Sequence, residues 1–154
     1  MTISIEDIKK LREQTGAGVL ECRKALEMFD GDQAKALEEL KKKGLEVADK
    51  KKERETKQGI IEAYSHNGGT VVSIVELLCE TDFVARNEDF KYLAHELALQ
   101  VAAMNPTNIE ELVKQPYIRD ASKTIDDLVK EVIAKIRENI QIGRIARYEL
   151  GESV

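Results

Sequence analysis

The chain has 154 residues, enough for one or two small domains with a real buried core. A charged fraction of 34% and a hydrophobic fraction of 42% suit a globular protein in water. A net charge of -5, aromatics at 5% and no Trp argue against a protein whose main task is coating nucleic acid, because phosphate binding needs a basic field and base stacking needs aromatic faces.

The first 44 residues spell three short helices. Ser4-Ile5-Glu6-Asp7 has the form of a capping box, and Ile5, Ile8 and Leu11 follow at helical spacing. Thr15-Gly16-Ala17-Gly18 turns the chain. Val19, Cys22, Leu26 and Phe29 form the stripe of a second helix, which Asp30-Gly31 ends. Asp32 caps a third, running through Ala34, Leu37 and Leu40, with Lys41, Lys42 and Lys43 in its last turn and Gly44 as its expected stop. Residues 45–58 are polar and are expected to form a partly helical linker. Lys41 to Lys57 holds eight Lys/Arg against four acids, which fits a solvated face better than a nucleic-acid patch.

From residue 59 the period changes. Ile60 to His66 and Thr70 to Glu80 are β-rich runs around Asn67-Gly68-Gly69, a hairpin signal. Helical spacing returns with Phe90, Leu93, Leu97 and Val101, and Asn105-Pro106 stops it. Residues 107–123 carry no clear period. Thr124-Ile125-Asp126-Asp127 opens another helix with Leu128, Val132 and Ile136. A last β run spans Ile140 to Leu150, with Ile140, Ile142, Ala146, Tyr148 and Leu150 expected on one face. The fold class is therefore α+β: a three-helix bundle over 1–44, a linker over 45–58, and over 59–154 a three-stranded antiparallel sheet covered by helices.

Few residues suggest chemistry. Cys22 and Cys79 lie far apart and outside any CxxC pattern, so both are expected reduced and buried. His66 and His95 belong to no metal-ligand spacing, and no nucleophile motif is present. Gly16-Ala17-Gly18 lacks the spacing of a phosphate loop and follows a helix, so it is a turn. No enzyme, metal or cofactor is expected, nor direct binding of nucleotide or nucleic acid. The N-terminus lacks the basic and apolar regions of a signal peptide, and no run approaches a membrane span, which makes the cytoplasm the expected setting.

Thr81-Asp82-Phe83-Val84 lies between a predicted strand and a predicted helix, where rigid scaffolds present binding residues. Two readings stand for it. Thr81 caps a helix while Phe83 and Val84 pack inward, or Phe83 is an apolar wedge for a partner.

The motifs together select the second reading. Leu11-Arg12-Glu13-Gln14-Thr15-Gly16-Ala17-Gly18, Cys22-Arg23-Lys24-Ala25-Leu26 and Gly31-Asp32 resemble the ubiquitin-associated-like module of the translation elongation factor Ts family. Cys79-Glu80-Thr81-Asp82-Phe83-Val84-Ala85-Arg86-Asn87 resembles that family's signature. Ile136-Arg137-Glu138-Asn139-Ile140, Arg144 and Arg147-Tyr148-Glu149-Leu150-Gly151 resemble its closing strand region. The resemblance covers residues 3–106 and about 122–151, and the order of the three motifs makes it specific. It implies a guanine nucleotide exchange factor for elongation factor Tu. Asp82 and Phe83, within Thr81–Val84, would disturb the partner's magnesium and phosphate site, and Arg12, Val19 and Leu20 would meet a helix of its GTP-binding domain. Other members often carry Met at the positions of Val19 and Leu20, and a His at that of Gln100. Residues 107–123 are too short for the helical hairpin found in longer members. Short members act as dimers, so a homodimer is a further expectation. An adaptor that docks some other helix or peptide is the alternative reading of the bundle.

Overall fold

Ser4 opens the first helix as its neighbours predict, its hydroxyl accepting from the Asp7 amide at 3.0 Å. The structure, a computed structural model, describes residues 2–153. In chain order the elements are α1 (Ile5–Thr15), α2 (Val19–Met28), α3 (Gln33–Lys51), β1 (Gln58–His66), β2 (Val71–Cys79), α4 (Asp82–Ala85), α5 (Glu88–Met104), α6 (Ile109–Lys114), β3 (Pro116–Tyr117), β4 (Asp120–Thr124), α7 (Ile125–Ile136) and β5 (Ile140–Glu149). They form two compact units. The first runs to Glu53 and also takes Lys130–Arg137; the second comprises Arg54–Val129 and the chain from Glu138 onward.

In the first unit, Leu11, Cys22, Ala25, Leu26, Ala36 and Leu40 make the core of a three-helix bundle. Three residues of the expected stripes lie exposed outside it: Ile5 at 73%, Val19 at 50%, and Ala34. Each lies in the first turn of its helix, and side chains lean toward a helix's N-terminus, so a first-turn residue projects past the packed region. Gly44 does not end α3, which continues to Lys51. The glycine instead faces the Lys130–Arg137 segment, where a Cβ on it would stand 2.9 Å from the Ala134 Cβ. Gly16, at φ +67°, would likewise meet the Lys135 backbone at 2.8 Å. The segment is tethered by Lys130 to Asp49 at 3.1 Å, by Arg137 to Glu21 at 3.4 Å, and by the Lys51 ammonium donating to the Arg137 carbonyl at 2.9 Å.

In the second unit, β1, β2 and β5 form an antiparallel sheet in the order β1-β2-β5. The first two are joined through Asn67–Gly69, all at positive φ, which asparagine and glycine tolerate. Ser73, Val75, Leu77 and Cys79 point to the face covered by α5, whose Phe90, Leu93, Ala94, Leu97, Ala98 and Val101 are buried.

The face assignment expected for β5 holds only for its first half. Ile140 and Ile142 lie opposite Cys79 and Leu77, on the covered face, but the register shifts at Gly143. Beyond that bulge Ala146 and Tyr148 lie opposite Ile74 and Val72, on the other face. One extra residue inverts the alternation, because strand side chains repeat every two residues. Leu150 falls beyond the strand and is exposed.

Residues 107–123 are ordered by polar contacts that no local period announces. Asn108 caps α6, accepting from the Glu111 amide at 2.8 Å, and Leu112 is fully buried. The β3–β4 ribbon is pinned to α5 by two buried polar side chains. Glu96 accepts from the Tyr117 hydroxyl and, at 2.6 Å, from Arg119; Gln100 donates to the Pro116 carbonyl at 3.1 Å and accepts from the Ile118 amide at 3.0 Å.

Candidate partner-binding site

The β2–β5 ladder ends at the pair Cys79–Ile140. The next residues of β2's chain, Glu80 and Thr81, have their amides satisfied by one carboxylate: Glu138 Oε1 accepts from Glu80 N at 3.1 Å and from Thr81 N at 2.9 Å. Its other oxygen accepts from the Thr81 hydroxyl at 2.7 Å. Glu80 answers in kind, accepting from the Asn139 amide at 2.7 Å and standing 3.6 Å from the Arg54 guanidinium. The Asn139 side chain donates to the Arg54 carbonyl at 2.6 Å.

Thr81 is the N-cap of α4, its hydroxyl accepting from the Val84 amide at 3.4 Å. Ala85 is buried and Val84 half-buried. Asn87 then caps α5, accepting from Asp89 N at 2.8 Å and Phe90 N at 3.3 Å. A single helical turn is thus held at both ends. On its outer side Asp82 pairs with Arg86 at 3.2 Å, and Phe83 is 79% exposed. Of the inward-packing reading of Thr81–Val84, the cap holds, since Thr81 opens a helix, but Phe83 does not pack inward.

Beneath the turn, Cys79 is buried, with its thiol donating to the Thr81 carbonyl at 3.1 Å. Burial, reinforced by the Glu138 carboxylate, pushes that thiol up to about 11. Among the described residues, no group of three or more His, Cys, Asp or Glu could hold a metal ion, and no helix is long and apolar enough to cross a membrane.

The other expected contact residues belong to the first unit. Arg12 is exposed in the last turn of α1, and Val19 and Leu20, the latter 71% exposed, open α2. All three flank the Gly16–Gly18 turn. There the Gly18 amide donates to the Glu21 carboxylate at 2.7 Å, which fixes the start of α2 without a capping side chain. Gln100 sits elsewhere in kind: it is fully buried and spent on the ribbon, so its side chain offers no surface to a partner.

Sequence reasoning placed Glu138 only within the closing motif. Nothing local marks it as the support of a turn 57 residues away in the chain.

The site is thus a single capped helical turn of an α+β fold that presents Phe83 to solvent. The sequence matches the family Elongation factor TS over residues 80–154. It is 44% identical to the elongation factor Ts of Thermotoga maritima, an alignment that covers 99% of this chain and 98% of the relative. It is 44% identical to that of Thermotoga neapolitana, covering 99% of each. With that of Rippkaea orientalis it shares 38% identity over 99% of this chain and 80% of the relative. The chain belongs to the elongation factor Ts family, whose members are translation elongation factors. The Thermotoga maritima alignment runs over 195 positions against the 154 residues here, so that relative carries residues with no counterpart in this chain.

Proposed function

We propose that this chain is a guanine nucleotide exchange factor for elongation factor Tu in the cytoplasm, and that it promotes GDP release with the α4 turn. Asp82 and Phe83 enter the partner near its magnesium and phosphate site, while Arg12, Val19 and Leu20 engage a helix of its GTP-binding domain. The observation that carries this reading is Phe83: a large apolar side chain, 79% exposed, on a turn fixed at both ends. A side chain that leaves water only on docking contributes to binding rather than to the fold.

The mechanism is linkage. A factor that expels GDP must bind the emptied partner more tightly than the loaded one, and nucleotide and magnesium must weaken the factor's grip by the same ratio. Burying one Phe contributes roughly 1.5–3 kcal/mol. At about 1.4 kcal/mol per tenfold, that is one to two decades. Phe83 cannot supply a large acceleration alone, so the first unit's contacts anchor the chain while Phe83 and Asp82 disturb the site. The test is release of a fluorescent GDP analogue from the cognate partner, with wild type and Phe83→Ala in parallel. An unchanged off-rate at saturating wild type removes the proposal.

A homodimer belongs to the same proposal. The uncovered face of the sheet carries Ile61, Ile74 and Tyr148 in exposed positions around the Glu76–Arg144 pair at 2.7 Å. A two-fold axis through such a face would set the acid of each copy near the base of the other and cover the apolar residues. A monomeric mass at micromolar concentration would remove this part.

A further inference from the structure

We infer that Glu138 is a positioning residue for nucleotide exchange: its carboxylate holds the base of the α4 turn and so sets where Asp82 and Phe83 are presented. The inference rests on the exchange reading above and adds a residue to it.

The sheet stops one step short of the turn. Its last β2–β5 pair is Cys79–Ile140, and beyond it the Glu80 and Thr81 amides would have no strand partner. Glu138 stands two residues before that last pair on the facing chain, and its side chain takes both amides and the Thr81 hydroxyl. Three donors converge on one carboxylate, and hydrogen bonds to an ionised acceptor are shorter and stronger than neutral ones. The exchange is reciprocal, since Glu80 accepts from the Asn139 amide. A pair of side chains thereby extends the ladder by one step.

That step matters because α4 has four residues. One helical turn has little stability of its own, so its direction is inherited from its ends. The C-terminal end is fixed by the Asn87 cap. At the N-terminal end the Thr81 cap is itself held by Glu138, which among the described residues contacts neither Asp82 nor Phe83 in any hydrogen bond or ion pair. Its effect on a partner is transmitted through Thr81. Displacing a contact group by an ångström is enough to cost about a hundredfold where the geometry is demanding.

Glu138→Met and Glu138→Gln separate the acceptor from the shape. Both keep the side chain's length. Only Gln retains an oxygen that can accept from the two amides. In GDP release from elongation factor Tu, with a fluorescent GDP analogue and saturating full-length factor, Glu138→Met is expected to lower the maximal rate about tenfold, and Glu138→Gln to restore most of it. In the Phe83→Ala background Glu138→Met should add less than about twofold, because the two residues act on one contact. Equal losses in both backgrounds would mean a general structural role and would overturn the inference.

Amide hydrogen exchange on the free chain supplies a reading independent of the partner. The amides of Glu80, Thr81, Val84 and Ala85 should lose protection in Glu138→Met and regain it in Glu138→Gln. Unchanged protection overturns the inference even if exchange activity stands. If wild type releases no GDP, the exchange reading falls, and the protection data still decide whether Glu138 positions the turn. Should Glu138→Met fail to fold, Glu138→Asp, which keeps the charge and shortens the reach, takes its place in both assays.

Discussion

Gly44 and Ala134 approach so closely that a Cβ built on the glycine would lie 2.9 Å from the Ala134 Cβ. Gly44 is therefore a spacer inside α3, at a position where glycine costs a helix about 1 kcal/mol relative to alanine. Gly44→Ala recovers that propensity but drives two methyl carbons together, and overpacking costs about 1–3 kcal/mol. We expect Gly44→Ala to lower the denaturation midpoint followed by helical circular dichroism. The added substitution Ala134→Gly should recover part of the loss. A simple gain in stability from Gly44→Ala would show that the helices part freely.

Two phenylalanines seven residues apart should behave in opposite ways. Phe90 is fully buried beneath the sheet, so Phe90→Ala should destabilise the chain by about 3–5 kcal/mol. Phe83 is largely in water, and Phe83→Ala should shift stability by no more than about 0.5 kcal/mol. Urea titrations of both variants check the contrast. A marked destabilisation by Phe83→Ala would show that the side chain serves the fold.

Gly59 opens β1 against β2, where a Cβ would stand 2.1 Å from the Leu77 carbonyl oxygen and 2.9 Å from the Leu78 Cα. Both atoms are backbone in a paired strand, so no rotamer change relieves the clash. Gly59→Ala should cost about 3 kcal/mol. Gly68→Ser, in a turn where an added Cβ meets nothing within 4 Å, should cost less, about 1 kcal/mol, from its φ of +67° alone. Comparable losses at the two sites would contradict the register.

The Cys79 thiol titrates near 11 in the fold against an ordinary value of 9.0. Between those values the native chain keeps a proton that the unfolded chain has lost, so unfolding releases protons and stability falls as pH rises. This contribution is intact below about pH 9 and is lost on the way to pH 11. Urea midpoints measured across that window should fall less steeply in Cys79→Ala than in wild type. Parallel slopes would show that the thiol is not held protonated. Alkylation of native Cys79 at pH 8 should also be far slower than in denaturant, since the thiolate is the reactive form.

The residues that act on their immediate neighbours were legible. Ser4 and Asp32 each accept from amides two or three positions on, so a cap can be read from a few letters. The Asn67-Gly68-Gly69 hairpin, the Asn105-Pro106 stop and the α+β order follow from the same short range. So does Thr81 as a cap, and the apolar letters of the turn it opens.

What lay beyond a few residues was decided by the tertiary structure. Gly44 reads as a helix stop until Ala134 is seen beside it. The bulge at Gly143 turns Ala146 and Tyr148 to the uncovered face, and no local alternation records where a register slips. Glu96 and Gln100 look like ordinary polar helix residues, yet they are buried because a distant ribbon satisfies them. Phe83 and Phe90 are the same residue type seven positions apart, and only the packing of α5 on the sheet buries Phe90 and leaves Phe83 in water. The letters fixed which groups could cap, turn and alternate, since those interactions span single turns. Burial, support and exposure depended on segments far apart in the chain, because they arise only when those segments meet.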